Sequence, residues 1–197
     1  MRSLTTIVLA VLALTAGCST PAPEPFGVPP APSTTPAPVD MTPEEIELYG
    51  PRVELPGGLL QKQLGKVAQI SAPGSDDPRD WAIRIVLDSI EVDPRGCAAG
   101  IKPERGHRLL LSLRVETSEK YDPSLAGNPV FYEWSTVGPD GVSEAPASSE
   151  PTCQFDKSLP FDLRPSAKYR GQVSVGTANP AGQLVLSNLF VWDYPAP

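Results

Sequence analysis

The sequence predicts an all-β domain, an antiparallel β-sandwich over residues 41–197. Three observations predict it. Apolar and polar residues alternate with period two in several stretches, the mark of half-buried strands. Turn-forming pairs separate those stretches. No helical period intervenes, and six or seven strands without helices between them favour two packed sheets.

Arg2 is a short positive region, Ile7 to Leu14 is an apolar run, and Thr15-Ala16-Gly17 is a small-residue stretch ending at Cys18. That order is a secretory signal over residues 1–17. A transmembrane helix is disfavoured, because spanning the hydrocarbon takes about 20 apolar residues. The stretch from Leu4 to Gly17 is shorter and includes Thr5, Thr6 and Thr15. Leu14-Thr15-Ala16-Gly17-Cys18 resembles the lipobox of bacterial lipoproteins, with Thr15 where a larger aliphatic residue is commoner. The resemblance implies diacylglycerol on the Cys18 thiol, cleavage before it, and an N-terminus open to acylation. Each buried CH₂ is worth roughly 0.8 kcal/mol, so two or three chains anchor durably where one is marginal.

Residues 18–40 read as a tether. Ser19 to Asp40 is Pro, Ala, Ser and Thr with few apolar side chains. Such a stretch cannot offset the entropy of ordering, and its prolines bias it to an extended chain. At ~3.1 Å per residue its reach is at most about 70 Å. The expectation is a disordered stalk.

Met41 to Pro51 carries helix signals. Thr42 suits the N-cap, Pro43 the first helical position, and Glu44 and Glu45 the positive end of the dipole. Gly50 and Pro51 stop it after about two turns. The alternation then starts. Trp81, Ile83, Ile85 and Leu87 alternate with Ala82, Arg84, Val86 and Asp88. Leu109, Leu111, Leu113 and Val115 alternate with Leu110, Ser112, Arg114 and Glu116. Val130, Tyr132 and Trp134 form a shorter set, and Tyr169, Gly171, Val173 and Val175 another. Lys66 to Ile70 and Gln183 to Tyr194 are further candidates. Pro73-Gly74, Asp93-Pro94-Arg95-Gly96, Pro139-Asp140-Gly141 and Asn179-Pro180-Ala181-Gly182 supply the turns.

Several features recur together in a known group. They are Gln63-Leu64-Gly65-Lys66-Val67-Ala68, the strand from Trp81 to Val92 and the strand from Arg108 to Thr117. A cysteine ahead of Leu159-Pro160-Phe161-Asp162-Leu163-Arg164-Pro165, the strand from Tyr169 to Val175 and a closing Val191-Trp192-Asp193-Tyr194 complete the set. In these the chain after Leu64 resembles the immunoglobulin-like β-sandwich lipoproteins and secreted antigens of actinobacteria, many of unassigned function. The resemblance implies an immunoglobulin-like sandwich and carries over no catalytic residue.

With Cys18 given to lipid, Cys97 and Cys153 remain as a pair. Outside the cytoplasm such a pair is expected to form a disulfide, worth about 4 kcal/mol for a loop of this length in the chain-entropy account. A metal site fails on spacing, since there is no Cys-x-x-Cys and His107 is the one histidine. The formal net charge of -7 disfavours nucleic acid and electrostatic docking on anionic lipid. Membrane contact is therefore expected through Cys18 alone.

Chemistry-bearing patterns are sparse. No Gly-x-Ser-x-Gly elbow, Ser-x-x-Lys or phosphate-cradling glycine loop is present, and no cofactor is expected. Asp76, Asp77 and Asp80 could offer oxygens to Ca²⁺ but read as a solvated turn. Tyr132, Trp134, Trp192 and Tyr194 are candidate binding aromatics, able to stack on sugar rings or a partner if exposed. Strand aromatics are more often core. The leading expectation is a lipid-anchored binding or interaction module on the extracytoplasmic face, engaging an envelope protein or glycan and not acting as an enzyme. A structural or accessory envelope role is the alternative. A cell-wall hydrolase, using His107 or acids such as Glu133 and Glu144, comes last.

Overall fold

The computed structural model describes residues 41–75, 77, 79–95, 97, 103–126, 129–144, 149–150 and 155–195. The expected signal, Cys18 and the tether lie outside the described residues, as does Cys153. The described elements run α1 (Pro43–Tyr49), β1 (Val53–Leu55), β2 (Leu59–Gln61), β3 (Val67–Ser71), β4 (Trp81–Val92) and β5 (His107–Thr117). Next come two single helical turns, α2 (Pro123–Ala126) and α3 (Pro129–Tyr132), then β6 (Trp134–Val137), β7 (Ser143–Glu144) and β8 (Ser149–Glu150). A 3-10 turn at Phe155–Lys157 precedes β9 (Lys168–Thr177), β10 (Gly182–Leu186) and β11 (Phe190–Tyr194).

These strands form an all-β sandwich, as the alternation predicts. One sheet has the order β3-β4-β5-β9-β8 and the other β1-β2-β11-β10-β6-β7. Pairing is antiparallel except between β2 and β11, which run parallel. The long strands β4, β5 and β9 form the centre of the five-stranded sheet. Their inward residues, including Ile83, Ile85, Leu87, Leu109, Leu111, Leu113, Val173 and Val175, are almost wholly buried. Fully burying one such side chain stabilises by roughly 1.5–3 kcal/mol. The facing sheet contributes Trp134, Leu184, Leu186, Phe190, Trp192 and Tyr194.

The period slips once in β4. A bulge between Leu87 and Ser89 leaves Asp88 without a register partner. One inserted residue moves the following side chains to the opposite face, so Ile90, three residues after Leu87, returns to the core. Gly171 marks a close approach on β9. A Cβ there would lie 2.7 Å from the Cα of Leu159, and Leu159 fills the space that a side chain would occupy.

Two expectations are corrected. Val130, Tyr132 and Trp134 do not form one strand: Pro129–Tyr132 is a helical turn and the strand starts at Trp134. Pro129 suits the start of a helical turn, and the Trp134 indole N–H donates to the Val130 carbonyl at 2.6 Å. That bond and the burial of Val130 and Phe131 outweigh strand propensity. Gln183 to Tyr194 is likewise not one strand. It is the β10–β11 hairpin, turning at Ser187 and Asn188, both with positive φ.

Polar groups tie the two sheets at one end. The Thr177 hydroxyl on β9 lies 3.2 Å from the hydroxyls of Thr136 and Tyr194 on the facing sheet. The Glu144 carboxylate accepts from the Ala178 N–H at 2.9 Å and from the Asn179 amide at 2.7 Å. Burial, together with the charge of Glu144, pushes the Tyr194 phenol above its ordinary range.

Candidate functional site

A groove of about 500 Å³ lies on the outward face of the five-stranded sheet beside α1. Strand register builds it. Val67 pairs with Val86, Val86 with Arg114, and Arg114 with Arg170. Two residues along, Gln69, Arg84, Glu116 and Lys168 form the adjoining row. Residues in register share a face and alternate residues of a strand do too, so both rows open outward. Val67 and Val86 supply apolar surface, and Leu48 of α1 lines the groove as well.

The charges are unevenly satisfied. The Arg84 guanidinium lies 4.2 Å from the Trp81 ring centroid and donates to Gln69 Oε1 at 2.8 Å and to the Tyr49 hydroxyl at 3.3 Å. Arg114 donates to both carboxylate oxygens of Asp88, the residue released by the bulge, at 2.8–3.1 Å. Its hydrogen bond to Asp88 raises the Arg114 pKa further above the ordinary value. Lys168 meets Glu116 at 3.1 Å. Arg170 has no side-chain partner among the described residues. It stands directly opposite Arg114, a cross-strand placement of like charges that is destabilising.

Helix α1 buries none of its own residues. Polar contacts hold it in place. Thr42 and Glu45 form a capping box, in which the Thr42 N–H donates to Glu45 at 2.8 Å and the Glu45 N–H to Thr42 at 3.3 Å. The Thr42 N–H and hydroxyl both donate to the Glu45 carboxylate and hold its pKa below the ordinary value. At the other end Lys62 donates to the Tyr49 carbonyl at 3.0 Å and Lys66 to the Glu47 carbonyl at 2.6 Å. Lysines there satisfy orphan carbonyls and suit the negative end of the helix dipole.

Lys62 also lines a second, smaller groove of about 370 Å³ with Gln61, Trp192 and Asp193. Burial, and then the nearby charge of Arg52, pulls its pKa down to about 8. Its ammonium lies 5.6 Å from the Phe190 ring centroid. The Trp192 indole N–H, on a side chain that is 1% exposed, has no hydrogen-bond partner among the described residues.

The aromatic candidates are corrected by burial. Trp134, Trp192 and Tyr194 are all at most 2% exposed and belong to the core. Trp134 and Trp192 pack with ring centroids 6.0 Å apart. They offer no stacking platform to a sugar or a partner. The Tyr132 side chain lies outside the described set, but its residue sits in the helical turn and not in a strand. The cysteine expectation stands differently: Cys97 is disulfide-bonded.

The residues considered for hydrolysis are spread out in bonds of their own. His107 Nδ1 lies 2.7 Å from Asp93, whose other oxygen accepts the Arg108 N–H at 2.9 Å. Burial opposes ionisation of Asp93, but these bonds outweigh it and hold the carboxyl below its ordinary value. Glu133 takes the Ser187 hydroxyl, while Glu144 belongs to the inter-sheet network. None of these three residues lines the 500 Å³ groove. In the acidic loop, the Arg79 side chain and N–H both donate to Asp77 and lower it to about 2. Asp80 is taken by Lys120 at 2.6 Å, and Asp76 lies outside the described residues. Among the described residues no group of His, Cys, Asp and Glu could hold a metal ion, and no helix is long and apolar enough to cross a membrane.

The groove's cations were not singled out by sequence reasoning. Arg84, Arg114 and Arg170 each occupy an outward position of an alternating strand. The missing information was register, which brings them together. Comparison with protein-family models, with curated proteins and with solved structures finds no match to this chain.

Proposed function

We propose that this chain is a binding module held by lipid at Cys18 on the extracytoplasmic face of a bacterial membrane, with the groove on the five-stranded sheet as its ligand site. The observation that carries the reading is the groove itself. An outward sheet face in a sandwich is commonly solvated and needs no concavity. Here it forms an open groove of about 500 Å³, inside the ~300–1,000 Å³ typical of small-ligand sites. The address rests on the lipobox-like Leu14 to Cys18 and on the tether composition. The fold contributes no argument for activity, since sandwiches host many functions.

Native mass spectrometry of the protein extracted from its own membrane tests the site. A discrete small molecule is expected to accompany the wild-type chain and to be absent from Val86→Trp, whose indole fills the groove. The same species on both chains, or none on either, contradicts the proposal.

A further inference from the structure

We infer that the groove takes a small phosphomonoester with a compact aliphatic body, a ligand class that deepens the binding role proposed above and rests on it. The charge balance is the first argument. Among the strand side chains, Arg84, Arg114, Lys168 and Arg170 face Asp88 and Glu116, four cations against two carboxylates, so the sheet face holds about two positive charges in excess, while the bordering α1 carries Glu44, Glu45 and Glu47. The whole chain carries -7, so this face runs against the overall balance. A phosphomonoester carries roughly -1.5 to -2 at neutral pH and three acceptor oxygens.

Geometry is the second argument. Arg114 and Arg170 are register partners across an antiparallel pair, and the Arg170 side chain has no hydrogen-bond or ion-pair partner among the described residues. Asp88 occupies Nε and one Nη of Arg114, so an anion here takes the planar fork of Arg170 together with the remaining Nη of Arg114, which turns that repulsion into charge-assisted hydrogen bonds. Leu48, nearly half exposed, and the small exposed parts of Val67 and Val86 take the body of the ligand. Trp81 does not line the groove, and Tyr169 packs against the core, so the outward apolar side chains of the groove are aliphatic and an aliphatic body fits better than an aromatic one.

The occupant is a free small molecule, not a bilayer headgroup. The groove volume suits one compact ligand, and the acidic chain as a whole is repelled by an anionic surface.

Isothermal titration of the full-length protein in zwitterionic nanodiscs tests the inference, with butyl phosphate, inorganic phosphate, butyrate and butanol as probes. Butyl phosphate is expected to bind most tightly, and the binding to weaken as salt rises. Arg170→Gln should weaken it by about tenfold, the scale of one lost charge-assisted hydrogen bond. Arg79→Gln, in the acidic loop, should leave it unchanged. Retention of butyl phosphate affinity in Arg170→Gln overturns the inference, and so does butanol or butyrate binding as tightly. Tighter adhesion of the nanodisc-held protein to anionic vesicles than butyl phosphate can compete away also overturns it, in favour of a headgroup. If butyl phosphate fails while the co-purifying species is still lost in Val86→Trp, the ligand class is wrong and the binding role stands. If both fail, the binding role falls too.

Discussion

At the scale of single residues, burial decides which side chains are free to act. Period two places Trp192 and Tyr194 on one face, but it is silent on whether that face points in or out. The structure turns it inward, so these aromatics pack in the core of the sandwich. Conversely, the outward arginines looked like ordinary solvated positions, because one strand's sequence does not state which residue of the next strand stands beside it. Lys62 gives a pH-dependent consequence. Its folded pKa is about 8 against an ordinary 10.5. Between those values the unfolded chain holds a proton that the folded chain has released, so stability rises with pH across that window. Below about pH 8 both states are protonated and the contribution is flat. Chemical unfolding at pH 7.5, 8.5 and 9.5 should therefore show the wild type gaining stability relative to Lys62→Met. A constant difference across that range would refute the burial of the amine. Gly171 makes a second case. Its replacement by Ala forces a Cβ onto the Leu159 backbone, and overpacking of this kind costs about 1–3 kcal/mol. The midpoint of denaturant unfolding should fall accordingly, and an unchanged midpoint would mean that Leu159 moves away freely.

At the scale of elements, local signals and tertiary context divide the work. The boundaries of α1 were legible because its capping residues are adjacent in sequence: Thr42, Pro43, Glu45 and Gly50 all act there as their chemistry suggests. The long strands β4, β5 and β9 were legible because each has enough turns of alternation to reveal a buried face. The helical turn α3 was not, since its apolar run is too short to distinguish the two periods and a bond from Trp134 selects between them. β1 and β2, three residues each, carry too little pattern to be found. The bulge at Asp88 was equally hidden, although it supplies the carboxylate that holds Arg114. Because α1 buries no residue and is held by its cap, by two lysines and by the bonds of the Tyr49 hydroxyl to Gln69 and Arg84, it should loosen easily. Thr42→Ala is expected to cost about 0.5–2 kcal/mol at the helix and to speed amide exchange at Ile46 and Gly50, which donate to carbonyls of the same turns. Exchange rates unchanged from wild type there would show that the cap does not hold the helix.

At the scale of the whole molecule, a proposed address and tether precede in sequence a sandwich with a cationic groove. The sandwich follows from alternation and turns. The proposed address and tether rest on composition and motif in residues 1–40, and the groove emerges only when register is known. The disulfide belongs to this scale as well. Cys97 is bonded, and cysteine arithmetic assigns Cys153 as its partner. Replacing both with Ala should cost roughly 2–5 kcal/mol and lower the melting temperature by several degrees, about the shift such a loss produces in a domain of this size. A melting temperature equal to wild type would contradict a stabilising cross-link. The most direct test of the lipid-anchored account is the intact mass of the protein taken from its own membrane, before and after reduction. The account expects a chain beginning at Cys18, heavier by a diacylglyceryl group with or without a further acyl chain, and gaining two hydrogens on reduction. A chain that begins elsewhere, or a Cys18 without lipid, would contradict it.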